Sequence, residues 1–175
     1  TFTIECLDDD AGESAPRRGA ASTAAQLREG VDGVVHSTEY WNTYMREEAA
    51  KGDDNAFQPV FELAKGLDAA RYSFCFWDLG PDDALVAEIE VPPARYWSLQ
   101  LYDIPWFHLV DITEHVVSLN HTQARIDDDG VIRVVVSHRD PGAPNWLDAA
   151  GLQRGLFTLR AFWTTDEVAT PTTRV

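Results

Sequence analysis

The chain has 175 residues, 45% of them hydrophobic, and carries 14 Lys+Arg against 29 Asp+Glu, a formal net charge of -15. That length is enough for one domain with a core of its own, and the apolar content excludes wholesale disorder. The acid excess excludes nucleic acid and anionic membrane surfaces as partners, because phosphate binding rests on basic side chains, and no run approaches the ~18 apolar residues of a membrane span.

The first residues, TFTIECL, read as a strand. They show no Met, no basic stretch and no apolar leader core, so no signal peptide is visible and a cytoplasmic location is expected. A start directly in a strand leads to the expectation that the chain is the C-terminal part of a longer protein or a processed form. Residues 7–22 are polar and contain Gly, Pro and Ser, which fits a mobile linker. Cys6 and Cys75 each sit in an apolar run, so they read as buried reduced thiols rather than a disulfide.

Thr23 to Gln26 fits a capping box, and the helix it opens runs to about Ala50. Leu27, Val31, Val34, Val35, Thr38, Trp41 and Met45 form one apolar stripe along it. Gly30 and Gly33 each cost that helix ~1 kcal/mol against Ala, so the stripe is expected to pack on something. Lys51 to Asn55 ends it. A short helix over Val60 to Lys65 is expected after Pro59.

From Tyr72 onward the pattern changes to six runs rich in β-branched and aromatic residues: YSFCFWDLG, ALVAEIEVP, YWSLQLYDI, VVSLNHTQARI, VIRVVVSHRD and LFTLRAFW. Turn signals separate them. Such punctuation indicates an antiparallel sandwich or jelly roll rather than alternating strands and helices. Asp128, Asp129 and Gly130 predict a three-residue hairpin loop with Gly130 left-handed and Asp127 opposite Val131. Extended in register, that hairpin pairs Ile126 with Ile132, Ala124 with Val134 and Asn120 with His138. Ile126, Ala124, Ile132, Val134 and Val136 would then face the core, with Asn120 and His138 as a polar cluster at its end. Three adjacent aspartates point in different directions and read as a turn, not as a calcium loop with alternating ligands.

Two segments carry candidate chemistry. In residues 137–151, His138, Arg139, Asp140, Asn145 and Trp146 lie in a loop held by prolines and glycines. His138 can act as general acid or base beside Asp140 or Asn120, with Asn145, Trp146 and Arg139 holding a ligand. The plainer reading makes Asp140 and Asn145 turn caps and Trp146 a plug at the sandwich end. In residues 96–111, Tyr102, Asp103 and Trp106 are candidates for holding a ligand, and Trp106 and Phe107 after Pro105 either line a pocket, bury at a subunit contact or pack in the core. No nucleophile elbow, no paired Cys and His and no phosphate loop occurs. The five histidines form no H-x-H or H-x-x-x-H pair, so neither metal nor cofactor is expected.

The runs RYWSLQLYD, SLNHTQARIDDDGVIRVVVSHRDPGAPNWLDAAG and GLFTLRAFW resemble the C-terminal domain of the bacterial family named domain of unknown function 1214, which often follows a 1254-type domain. The likeness is concentrated in residues 71–163. It implies an all-β, jelly-roll-like domain preceded by helical structure, and relatives, actinobacterial ones among them, that are longer at the N-terminus. It carries over no catalytic residues. Leu152 departs from the family pattern, which often has a His there.

The expected architecture is a mainly β, antiparallel jelly-roll-like sandwich over residues 71–175, with a helix or helix pair from 23–70 packed on it and a strand and linker in 1–22. Three functions are compatible with it. The first is a domain binding a small apolar or sugar-like ligand. The second is assembly with another copy or with an N-terminal partner domain. The third is a hydrolase, lyase or isomerase using His138.

Overall fold

The computed structural model describes Thr3, residues 19–63 and residues 69–175. The expected N-terminal strand, Cys6 and most of the linker lie outside the described residues. The chain forms two compact units, Thr1–Ser37 and Thr38–Val175.

Helix α1 spans Ala20–Ala49. It begins before the expected capping box. Thr23 N donates to Gly19 O at 3.0 Å, so Thr23 lies inside the first turn, and Ala20 and Ala21 supply the helix propensity that extends it. In the first unit the apolar stripe does not pack as expected: Leu27, Val31, Val34 and Val35 are all more than half exposed. In the second unit Met45 is fully buried. The expected short helix is absent from Val60 to Leu63, and the rest of it lies outside the described residues. Instead Phe57 and Phe61 form bridges to Cys75 and Tyr72.

The described residues of the second unit are mainly β. They contain β1 (Ala70–Asp78), β2 (Ala84–Glu90), β3 (Ala94–Tyr102), β4 (Ser118–Asn120), β5 (Val131–Ser137), β6 (Trp146–Asp148), β7 (Arg154–Thr164) and β8 (Thr172–Arg174). Two four-stranded sheets result, ordered β1-β7-β3-β4 and β6-β5-β2-β8. All pairings are antiparallel except β5 with β6. The six expected strands are present, the fourth shortened to three residues, and β6 and β8 were not foreseen. Both are too short to show a period.

Side chains alternate across a strand. Cys75 and Trp77 of β1, Trp97, Leu99 and Leu101 of β3, and Phe157, Leu159 and Ala161 of β7 join Leu85, Ala87, Ile89, Ile132, Val134 and Val136 of the other sheet in one buried apolar cluster. Gly155 lies under the Trp77 indole: a Cβ there would stand 2.2 Å from Trp77 Cζ2, so the ring occupies the space of a side chain.

The hairpin tip forms as expected. Asp127 N donates to Val131 O at 2.9 Å, and Gly130 has φ 80°. Beyond it the expected register is corrected. β5 pairs with β2, Ser137 opposite Ala84, and Asn120 pairs with Ser98 of β3, not with His138. Ile126 is consequently 46% exposed instead of facing the core. The physical reason is Asn145. Its Oδ1 accepts from Arg125 N at 2.7 Å, and its Nδ2 donates to Arg125 O at 2.7 Å and Arg133 O at 3.0 Å. A side-chain amide has the same donor and acceptor pair as a peptide group, so Asn145 stands where a ladder partner would.

Candidate functional site

The residues singled out around 138–148 do not converge. His138, Arg139 and Asp140 line a shallow depression of about 260 Å³ with Pro81 to Ala84, which neither Asn120 nor Asn145 reaches. Asp140 Oδ1 accepts from Gly142 N at 2.7 Å, so its carboxylate closes a turn. Arg139 pairs with Asp82. The Trp146 indole N–H donates to Ser137 Oγ at 3.0 Å. Asn120 Oδ1 accepts from the Thr122 backbone at 2.9 Å and hydroxyl at 2.7 Å, which makes the SLN-x-x-Q segment a side-chain-capped turn. The buried Asn145 amide is occupied as described above. The acidic hairpin is likewise used internally: Arg133 bonds Asp127 and Asp129 and holds the Asp129 carboxyl below its ordinary range.

The 96–111 segment behaves differently. Asp103 Oδ1 accepts from Trp106 N and His108 N, at 3.3 and 3.0 Å, and lies 2.8 Å from His108 Nδ1. It therefore gathers the loop that follows β3. Tyr102 is buried, and burial raises its hydroxyl above the ordinary range. Trp106 is 47% exposed, but the next residue turns inward. Phe107 has φ 49°, a left-handed conformation that is costly for a bulky side chain. Ring packing offsets that cost: Phe107 lies 4.9 Å from the Tyr102 ring, 5.4 Å from Trp41 and 6.2 Å from Phe74. Asn42 Nδ2 donates to Pro105 O at 2.6 Å and fixes the loop against the helix.

Phe107 is one wall of a cleft of about 700 Å³. The helix contributes Tyr40, Trp41, Tyr44 and Glu48, whose spacing brings them to adjoining positions over two turns. β1 contributes Phe74 from its outer face. Residues 57–63 run beside β1, with Gln58 N donating to Phe74 O at 2.8 Å and Phe61 exchanging both backbone bonds with Tyr72. This added edge carries Gln58, Pro59, Phe61 and Leu63 to the rim.

One end of the cleft is polar. Lys51 Nζ lies 2.5 Å from Glu48 Oε1, and Gln58 Nε2 donates to Glu48 O at 2.7 Å. The Tyr44 hydroxyl is pushed up to about 12 by burial and then by the Glu48 charge. The phenol therefore stays protonated at neutral pH and can donate a hydrogen bond. The arrangement suits an apolar body with one polar contact, which is the usual make-up of a small-molecule site.

Of the residues singled out from sequence, Phe107 lines this cleft, as does Trp41 of the helix stripe, while Tyr102 and Trp106 only flank it in the chain. The clue that was present is the Tyr40, Trp41 and Tyr44 cluster, because a stripe meant only for the core has no need of two tyrosines beside its tryptophan. His115 is a second feature the sequence did not reveal. Its Nδ1 lies 2.8 Å from Asp148 Oδ2, while Asp148 Oδ1 accepts from Ala150 N at 2.8 Å. The pair ties the connection before β4 to β6.

No curated protein matches the chain. A crystal structure of an uncharacterized protein from Burkholderia cenocepacia is similar, with TM-score 0.67 and 30% identity over 74% of this chain and 38% of that one. The VPA0106 protein from Vibrio parahaemolyticus has TM-score 0.49 and 17% identity over 59% of this chain and 30% of that one. The chain thus spans well under half the length of either. A family model described as protein of unknown function, DUF1214, matches residues 84–166. That segment carries the SLN-x-x-Q, DDDG, HRDPG and NWLD motifs, and it belongs to the DUF1214 family.

Proposed function

We propose that this chain is a binding domain for a small, largely apolar ligand, held in the aromatic cleft between the C-terminal half of α1, residues 57–63 and Phe107. The observation that carries the reading is the cleft itself: about 700 Å³, walled by Tyr40, Trp41, Tyr44, Phe61, Phe74 and Phe107, with Glu48, Lys51 and Gln58 at one end. Its size falls within the range of small-molecule sites. The left-handed Phe107 adds support, since strained residues gather at ligand clamps. The finer description of the scaffold as a jelly-roll-like sandwich is supported by its antiparallel pairing and by one apolar cluster drawing on both sheets.

The alternative, a hydrolase, lyase or isomerase built on His138, has weaker support. The Asp140 carboxylate is turned to Gly142 N, and Asn120 belongs to the other sheet.

The test is a titration of the neutral probe phenylpropanamide, followed by ligand-observed NMR. Wild type is expected to broaden the probe signals. A Trp41→Ala, Phe107→Ala double variant should weaken binding about tenfold, from the loss of aromatic contacts. Undiminished binding to the double variant, with loss in His138→Ala, would move the site to the His138 depression and overturn the reading.

A further inference from the structure

Glu48 is the one charged residue buried among the described residues. It stands in the last turn of α1 and lines the cleft. Two costs oppose a carboxylate there. Burial strips water from the charge, and the C-terminal end of a helix carries partial negative charge of its own. Lys51 offsets only part of this. Its ammonium reaches Glu48 Oε1 at 2.5 Å from a side chain that is 59% exposed. Glu48 Oε2 accepts no hydrogen bond among the described residues, and protein does not seal it off. An acceptor is therefore left open beside the aromatic wall.

The wall itself suits a cation. Trp41 stands at 79° to Tyr44, and Phe61 at 83° to Phe74. Rings set nearly at right angles form a corner with two π faces, and each face is the negative side of the ring quadrupole. The other charges nearby are used elsewhere. Glu62 at the rim pairs with Arg71 at 2.8 Å. Arg160 has a buried Nε without a hydrogen bond and no carboxylate partner among the described residues, but it lies against the Tyr72 and Tyr102 rings behind the cleft wall and takes no part. The net charge of -15 adds a field that draws cations to the surface.

We propose that the ligand is an amine with an aryl or alkyl body, its ammonium bound by Glu48 and its apolar part held on the aromatic wall. The proposal rests on the cleft reading and adds the ligand's charge and its anchor. Lys51 is then a tethered stand-in: its ammonium occupies one oxygen of the carboxylate that the ligand's ammonium takes, and the two compete.

The experiment compares phenylpropylamine, a cation at neutral pH, with the neutral phenylpropanamide on the full chain by calorimetry. Wild type is expected to bind the amine about tenfold more tightly, the increment of a charge-assisted hydrogen bond. Glu48→Gln should bring the ratio of the two affinities to about one. Lys51→Met should raise that ratio about threefold, the strength of a half-exposed ion pair, because it removes the competitor. Equal binding of both probes to wild type overturns the amine proposal and leaves the apolar-cleft reading standing. A preference that survives in Glu48→Gln also overturns it, by assigning the attraction to the acidity of the chain as a whole. A ratio lowered by Lys51→Met overturns it too, since Lys51 would then help the ligand instead of competing with it. Binding of neither probe overturns both readings. If Glu48→Gln fails to fold, the wild-type comparison and Lys51→Met decide the matter.

Discussion

The two faces of the β1-β7-β3-β4 sheet are made by the same strands and do different work. On the inner face Trp77, Trp97, Leu99, Leu101, Phe157 and Leu159 meet the second sheet in a seam that holds no buried charged group among the described residues. On the outer face Tyr72, Phe74, Phe76, Tyr102 and Leu156 are buried too, but Ser98, Gln100 and Arg160 stand among or beside them. Helix and loop cover the outer face instead of another sheet, and an open cleft remains. Burial alone therefore does not distinguish the two faces. The polar groups between the apolar ones do.

Truncation offers the strongest test of that contrast. Phe157→Ala on the inner face should cost about 3–5 kcal/mol in chemical denaturation, because the cavity has no way to collapse between two sheets. Phe107→Ala on the outer side should cost clearly less, since its loop can relax around the lost ring. Equal losses would erase the distinction between the faces.

A satisfied polar group should behave differently from the unsatisfied one on Arg160. Asn145→Ala leaves Arg125 N, Arg125 O and Arg133 O without their side-chain partner and should cost about 2–3 kcal/mol. Arg160→Met should cost little or even stabilise, because it removes a half-buried unpaired charge. The ratio of these two effects, measured by the same denaturation, sharpens the comparison.

A pH dependence confined to alkaline solution tests the inner face separately. Burial, with a lesser contribution from the Asp54 charge, pushes the Cys75 thiol from 9.0 up to about 12. Below pH 9 the thiol is protonated both folded and unfolded, so it contributes no pH dependence there. Above that value the unfolded thiol ionises first, and stability falls as the pH rises towards 12. Between those limits Cys75→Ala should show a slope shallower by about 1.4 kcal/mol per pH unit. An unchanged slope would mean the thiol is not held protonated by the fold.

The sequence was most legible where period and turn chemistry agree. The alternation in VIRVVVS and YWSLQLY gives the inner face directly, and Gly130 gives the hairpin tip. It was least legible where one side chain replaces a backbone partner. Asn145 looks like a loop asparagine, and nothing local says that it completes a ladder with Arg125 and Arg133. Periodicity placed Asn120 opposite His138 as in one long hairpin, which is not what forms, because tertiary pairing of β5 with β2 took precedence. The cleft was hidden for a related reason. Its walls come from a helix, the bridge segment that follows it closely and a loop far along the chain, and only the Tyr40, Trp41 and Tyr44 cluster hinted at it.

The indole of Trp77 over Gly155 has a consequence for inheritance. The two positions hold one shared volume, so neither is free to change first: any side chain at 155 meets the ring, and a smaller residue at 77 leaves a hole. Relatives should therefore keep the tryptophan with glycine, or exchange both together for a smaller aromatic with alanine. Co-variation at this pair would mark which members of the family share this inner seam.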